Sequence, residues 1–211
     1  MFPLRKAILL PRSSMPLNIF EPRYLALIDH VLAGDRLFGI VQPARTPGDD
    51  DEPDSPAGKS APLRSVGTVG RLTAFSETDD GRYVVSLTGI ARFRLGEEIE
   101  TREPYRTFEV GYDFAHDLVS GHGEDQVDRD HLLVVLKTYL DANELKADWE
   151  AIHDSSTEFL VNTLSMISPY GSEEKQALLE APTLKERAEV LVALAEMEFA
   201  ARDDGSGSTL Q

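Results

Sequence analysis

Residues able to hold a metal ion are densest between positions 113 and 131. Asp113, His116, Asp117, His122, Glu124, Asp125, Asp128, Asp130 and His131 all fall in that stretch. Imidazole and carboxylate together bind zinc or another divalent ion when such groups converge. No two of these histidines have the i, i+4 spacing of the helical zinc proteases, and glycines at 121 and 123 interrupt the run. The plainer reading is an acidic linker leading into a helix, because carboxylates in a first turn suit the helix dipole. A metal-dependent hydrolase built on the His116–His131 segment stands as the alternative; the preferred reading assigns no metal and no cofactor.

Other chemistries find less support. Gly58-Lys59-Ser60 imitates the end of a phosphate-binding loop, but the position that should carry its first glycine is Pro53, and the surrounding acidic loop repels phosphate. There is no Gly-x-Ser-x-Gly elbow, and without cysteine a thiolate nucleophile or a cysteine metal site is excluded. Ser86 falls in the middle of an alternating stretch, and the serines at 155, 156 and 165 are explained by capping and helix surfaces. Arg92 and Arg94 share one strand face and read as a solvated pair beside Glu97 and Glu98.

The 211 residues carry 37 acidic against 21 basic side chains, a formal charge of −16. Such a surface repels nucleic-acid backbones and anionic lipid, so neither nucleic acid nor membrane is an expected partner. Ala7-Ile8-Leu9-Leu10 is too short for a signal peptide or a membrane span, and a cytoplasmic location is expected.

The elements that would position any site change character along the chain. Tyr83, Val85 and Leu87, then Ala91, Phe93 and Leu95, alternate with polar residues and predict half-buried strands, with Asp79-Asp80-Gly81 as the turn before them. Further strands are predicted at Leu4–Leu10, Leu37–Gln42, Val66–Phe75 and Thr107–Phe114, forming a curled sheet or small barrel. One helix interrupts them: Tyr24, Leu27, Ile28, Val31 and Leu32 make an apolar stripe, with Pro22 in the first turn and Gly34 at the end. Beyond about Asp125 the period becomes helical. Leu132, Val135, Leu136, Tyr139 and Leu140 repeat the stripe, while Ser155–Glu158 and Thr183–Glu186 have the form of capping boxes. A shorter helix is predicted at Glu173–Glu180. The acidic, proline-bearing stretch 44–62 and the tail 203–211 read as disordered.

One stretch discriminates more sharply. Phe2-Pro3-Leu4 is followed by Leu10-Pro11 and then by Pro16-Leu17-Asn18-Ile19-Phe20-Glu21-Pro22-Arg23-Tyr24. It resembles the N-terminal substrate-binding domain of Lon proteases, whose hallmark is an opening Phe-Pro-Leu and a later Pro-Leu-x-Ile-Phe-Glu-Pro-Arg-Tyr. Gly67-Thr68-Val69-Gly70, Asp80-Gly81-Arg82, Leu87-Thr88-Gly89 with Arg92-Phe93, Lys175–Glu180 and Lys185-Glu186-Arg187 match in the same order.

The resemblance implies an α+β fold: a PUA-like pseudo-barrel with one helix over residues 1–118, then a helical bundle over 119–202. It also implies a module that binds unfolded or extended peptide segments or a protein partner, as adaptor or sensor, with no catalytic residues. The family signature falls on Phe20, Glu21, Arg23 and Tyr24 as candidate partner-binding residues. Their competing role is structural, with the aromatic pair seating the helix and Glu21 and Arg23 locking the turn. Because PUA-like folds include RNA-binding modules, RNA binding is a second alternative, which the negative charge opposes.

Overall fold

Alternation of apolar and polar residues produces the long antiparallel core of this protein. The computed structural model describes residues 1–44, 61–142 and 147–206, the last six by backbone only. The disorder expected for 44–62 falls almost wholly outside these residues, as does the end of the tail. Two compact units result: residues 1–120 with 169–179, and residues 121–168 with 180–211.

In the first unit β1 (Phe2–Pro3) runs parallel to β3 (Leu37–Pro43), which pairs antiparallel with β4 (Leu63–Glu77). β4 pairs in turn with β5 (Tyr83–Ile99), a single strand of 17 residues. Its side chains Val85, Leu87, Ala91 and Phe93 are buried, as the alternation requires. One edge of β5 carries two partners in succession. β2 (Ser14–Ile19) lies along Tyr83–Thr88, and β6 (Thr107–Gly111) lies along Arg94–Ile99. α1 (Pro22–Leu32) buries Tyr24, Leu27, Ile28 and Val31, with proline in its first turn.

Four expectations need correction here. Leu4–Leu10 is not a strand: Lys6 adopts φ 54°, and Ile8, Leu9 and Leu10 are buried in an irregular segment. The carbonyl of Leu9 accepts from the Thr68 hydroxyl at 2.6 Å instead of from a neighbouring strand. A short apolar run between prolines carries no period, so its pattern could not separate a strand from a buried loop. β2 went unpredicted because it contains Pro16, which a sheet tolerates only at an edge. The left-handed residue after α1 is Arg36 (φ 59°), not Gly34. β6 stops at Gly111, short of the predicted Phe114.

α5 (Ser172–Glu180) supplies most of the segment 169–179 to the first unit, although helical period alone groups it with the later helices. A buried amide exchange explains this. Gln42 Nε2 donates to Gln176 Oε1 and to the Ser172 carbonyl, both at 3.0 Å, while Gln176 Nε2 donates to the Val66 carbonyl at 3.2 Å. Each amide would be costly to bury alone.

The neighbouring Lys175 is 2% exposed, and burial pushes its ammonium down from 10.5 to about 8. Between pH 8 and 10.5 the unfolded chain therefore binds more protons than the folded one, and stability rises with pH through that window. Relative to Lys175→Met, which lacks this titration, wild type should gain on the order of 2 kcal/mol from pH 8 to 10.5. Urea unfolding of both proteins across that range checks it.

In the second unit, α2 (Arg129–Ala142), α3 (Trp149–Asp154), α4 (Thr157–Ile167) and α6 (Leu184–Ser206) follow in order, with α6 packed on α2 and α4. The Thr183–Glu186 box forms as predicted, each residue's side chain accepting the other's backbone N–H. The other box is displaced by one residue. Ser156, not Ser155, caps α4 by accepting from Phe159 N, and Glu158 instead accepts from Gly121 N at 2.9 Å. α6 continues to Ser206, so the first residues of the expected irregular tail are helical. α3 lacked an apolar period and was not foreseen.

Candidate functional site

The signature Phe20–Tyr24 spans the junction between β2 and α1. Glu21 takes the N-cap position with extended backbone (φ −74°, ψ 131°), but its carboxylate caps nothing. It is held instead by Arg23, Nε to Oε2 at 3.0 Å and Nη2 to Oε2 at 2.8 Å. The Arg23 guanidinium lies 4.6 Å above the Tyr24 ring, and that ring meets Phe2 edge-on with centroids 4.3 Å apart. Tyr24 is thus a core residue by its ring, whereas Phe20 is 61% exposed.

Arg23 and Tyr24 form one wall of a cleft of about 610 Å³; Met1, Glu98, Tyr105 and Arg106 are among its other lining residues. Phe20 and Glu21 do not line it. The β5–β6 connection supplies much of the remaining lining, because pairing of Ile99 with Thr107 folds residues 100–106 into a loop. Arg106 grips Glu98 with both ends of its fork, at 2.7 and 2.6 Å, and donates from Nη1 to the Ala61 carbonyl at 2.6 Å. Hydrogen bonding from Arg106 holds the Glu98 carboxyl below the usual carboxylate range. The Met1 ammonium donates to the Arg106 carbonyl at 2.7 Å, and burial, aided by the Arg106 charge, lowers it to about 6.

Two tyrosines face this cleft from buried positions. Tyr24 is 5% and Tyr105 8% exposed, yet neither hydroxyl has a hydrogen-bond partner among the described residues. Burial pushes both phenols up, so both stay neutral at physiological pH. The cleft therefore presents two neutral O–H groups, each able to donate to a carbonyl or accept from an amide. Met1, Tyr105 and Arg106 were not singled out from sequence, and Glu98 only as a neighbour of Arg92 and Arg94. Glu98 and Arg106 are eight residues apart in no known motif, and the only hint was a proline-bearing loop between two strands.

The acidic stretch around residues 113–131 is otherwise engaged. Asp117 is 6% exposed and makes an ion pair with Arg92, itself 2% exposed. Arg92 was expected on a solvated face; the 3₁₀ turn Ala115–Leu118 and the Leu179 carbonyl cover that face. Arg94 is indeed exposed and pairs with Asp113 at 2.8 Å, while Glu98, expected beside these arginines, goes to Arg106. Glu124 accepts from Glu158 N, Asp128 caps α2 through His131 N, and His131 lies 3.6 Å from Glu196. Among the described residues no group of three or more His, Asp or Glu side chains is arranged to hold a metal ion. None of their helices is long and apolar enough to cross a membrane.

Residues 1–196 match the family model of the ATP-dependent protease La (LON) substrate-binding domain, and the chain belongs to that family. A Lon protease of Flavobacterium johnsoniae is 26% identical over 195 residues, covering 88% of this chain and 22% of that protein. Lon protease 2 of Sorangium cellulosum is 36% identical over 104 residues, 49% of this chain and 12% of that protein. The chain thus spans about a fifth or less of these relatives. Among solved structures, a Lon N-terminal domain protein from Xanthomonas campestris superposes with TM-score 0.58 at 21% identity, covering 91% of this chain and 95% of that one. The N-terminal domain of a Mycobacterium avium complex Lon protease gives 0.61 at 18% identity, covering 90% and 93%. The fold is the α+β fold of these domains.

Proposed function

We propose that this protein binds extended peptide segments of unfolded or partly unfolded proteins in the cleft beside α1, as an adaptor or sensor, and has no catalytic centre of its own. The observation that carries this reading is the pair of buried tyrosines whose unpartnered hydroxyls meet an open cleft, in a chain of the LON substrate-binding family. Both hydroxyls are reached by solvent in the cleft, and a peptide backbone offers carbonyls and amides that can take the place of that water. Of the signature residues, Arg23 and Tyr24 would contact the peptide directly. Glu21 would act by fixing Arg23, and exposed Phe20 would extend the contact beyond the cleft. The charge of −16 disfavours RNA on this surface, and a cytoplasmic setting completes the proposal.

Substituting both tyrosines tests it. Tyr24→Phe with Tyr105→Phe removes two hydroxyls and leaves the rings in place. Folding stability should not fall, because no intramolecular hydrogen bond is lost. Affinity for a labelled, permanently unfolded peptide, read by fluorescence anisotropy, should drop by about ten-fold, the sum of two modest hydrogen bonds. Unchanged affinity would place binding elsewhere.

A further inference from the structure

We propose that the cleft selects peptide segments carrying an arginine or lysine side chain, which its glutamates receive. This inference rests on the reading of the cleft as a peptide site and adds to it a chemical class of substrate.

The cleft's own cations are already engaged. Arg23 is paired with Glu21, and Arg106 holds Glu98 while donating to the Ala61 carbonyl. Two further lining carboxylates remain, Glu100 and Glu103, both exposed and without a hydrogen bond or ion pair among the described residues. Arg102, in the same loop, does not line the cleft. Acidic residues alone would define no site. Here they rim a cavity that Tyr24 and Tyr105 also line, residues more than nine-tenths buried whose hydroxyls have no hydrogen-bond partner among the described residues and are open to solvent. Those hydroxyls suit backbone carbonyls of a guest chain.

A long cationic side chain fits what remains. Its methylene stem can lie along Ile99, an exposed apolar residue of the lining, while its charged head reaches the free carboxylates. A cleft of about 610 Å³ is of ordinary size for burying a ligand of a few residues. The field of a chain with charge −16 also draws cationic segments in and turns acidic ones away.

Three labelled peptides of equal length and apolar pattern, differing only in a central Ala, Arg or Glu, separate the possibilities. The proteins are the full chain, its Glu100→Gln, Glu103→Gln double variant and the Tyr24→Phe, Tyr105→Phe variant. At low ionic strength the Arg peptide should bind about ten-fold tighter than the Ala peptide, with the Glu peptide weakest. In the glutamine variant that preference should shrink to about two-fold, with affinity for the Ala peptide unchanged. Circular dichroism should show that variant folded, since both sites are exposed. Equal binding of all three peptides, weakened alike by the tyrosine changes, would overturn the selectivity and leave the peptide site standing. A preference for Arg that survives in the glutamine variant would also overturn it, by assigning the effect to the general field of the chain. Binding of no peptide would overturn both.

Discussion

Arg92→Met should lower unfolding free energy by about 3 to 5 kcal/mol. Arg92 gives its Nε and Nη2 to both oxygens of Asp117, with separations from 2.8 to 3.2 Å, and its own backbone N–H to Oδ2 at 2.8 Å. Nη1 donates to the Leu179 carbonyl at 3.0 Å, and the guanidinium carbon sits 4.3 Å from the centre of the Phe114 ring. The arginine thus ties β5 to the turn that follows β6 and to the end of α5. Removing it leaves a buried carboxylate with most of its donors gone, and that orphaned charge is what makes one-sided loss severe. The companion Arg92→Met, Asp117→Leu protein, in which neither charge remains, should recover a substantial part of the loss, since an apolar pair of similar volume often replaces a buried ion pair without penalty. Urea midpoints of the three proteins at neutral pH decide it. A small loss in the single variant would mean that water reaches Asp117.

Gly89→Val is the second large effect, expected at about 3 kcal/mol. A Cβ at Gly89 would stand 2.2 Å from the Leu10 carbonyl oxygen and 2.8 Å from its carbon, and both are backbone atoms with no rotamer to escape into. The segment cannot simply shift away. The Gly89 N–H donates to the Ser13 carbonyl at 2.9 Å, and the Gly89 carbonyl accepts from Arg12 N at 2.8 Å, so both strands of contact are pinned. Displacing Leu10 would also uncover Leu9 and Leu10, now 1% and 0% exposed. Gly81→Ala is the contrasting case: its φ of +78° disfavours a side chain, but nothing lies within 4 Å of the added carbon. Its cost should be about 1 kcal/mol, the conformational part alone. Thermal unfolding of the two variants separates steric from conformational loss.

These two positions also show where the sequence was and was not readable. Gly89 stood in Leu87-Thr88-Gly89, a motif whose order was plain, but only the tertiary approach of Leu10 explains why no other residue serves there. α1 was legible because an apolar stripe and a first-turn proline are local signals. β2 was not, because Pro16 imitates a loop until β5 is seen beside it. Arg92 misled for a similar reason. It occupies the phase opposite to Val85, Leu87 and Phe93, and strand alternation cannot say that a second layer covers that face. At the cleft, Arg23 and Tyr24 stand within the family motif, as does Glu21, which the structure pairs with Arg23. Tyr105 and Arg106 were invisible and Glu98 was given the wrong partner, since they meet Met1 and α1 only through the pairing of β5 with β6.

The central claim is that extended chains dock at the cleft between the start of α1 and the loop of residues 100–106. Amide chemical-shift mapping of the full chain, titrated with a permanently unfolded peptide, tests it most directly. Dose-dependent shifts should concentrate at residues 1–3, 20–24 and 98–106, and the Tyr24→Phe, Tyr105→Phe protein should show the same shifts at higher peptide concentrations. Saturating shifts confined to α2, α4 and α6, with the cleft residues unmoved, would contradict it.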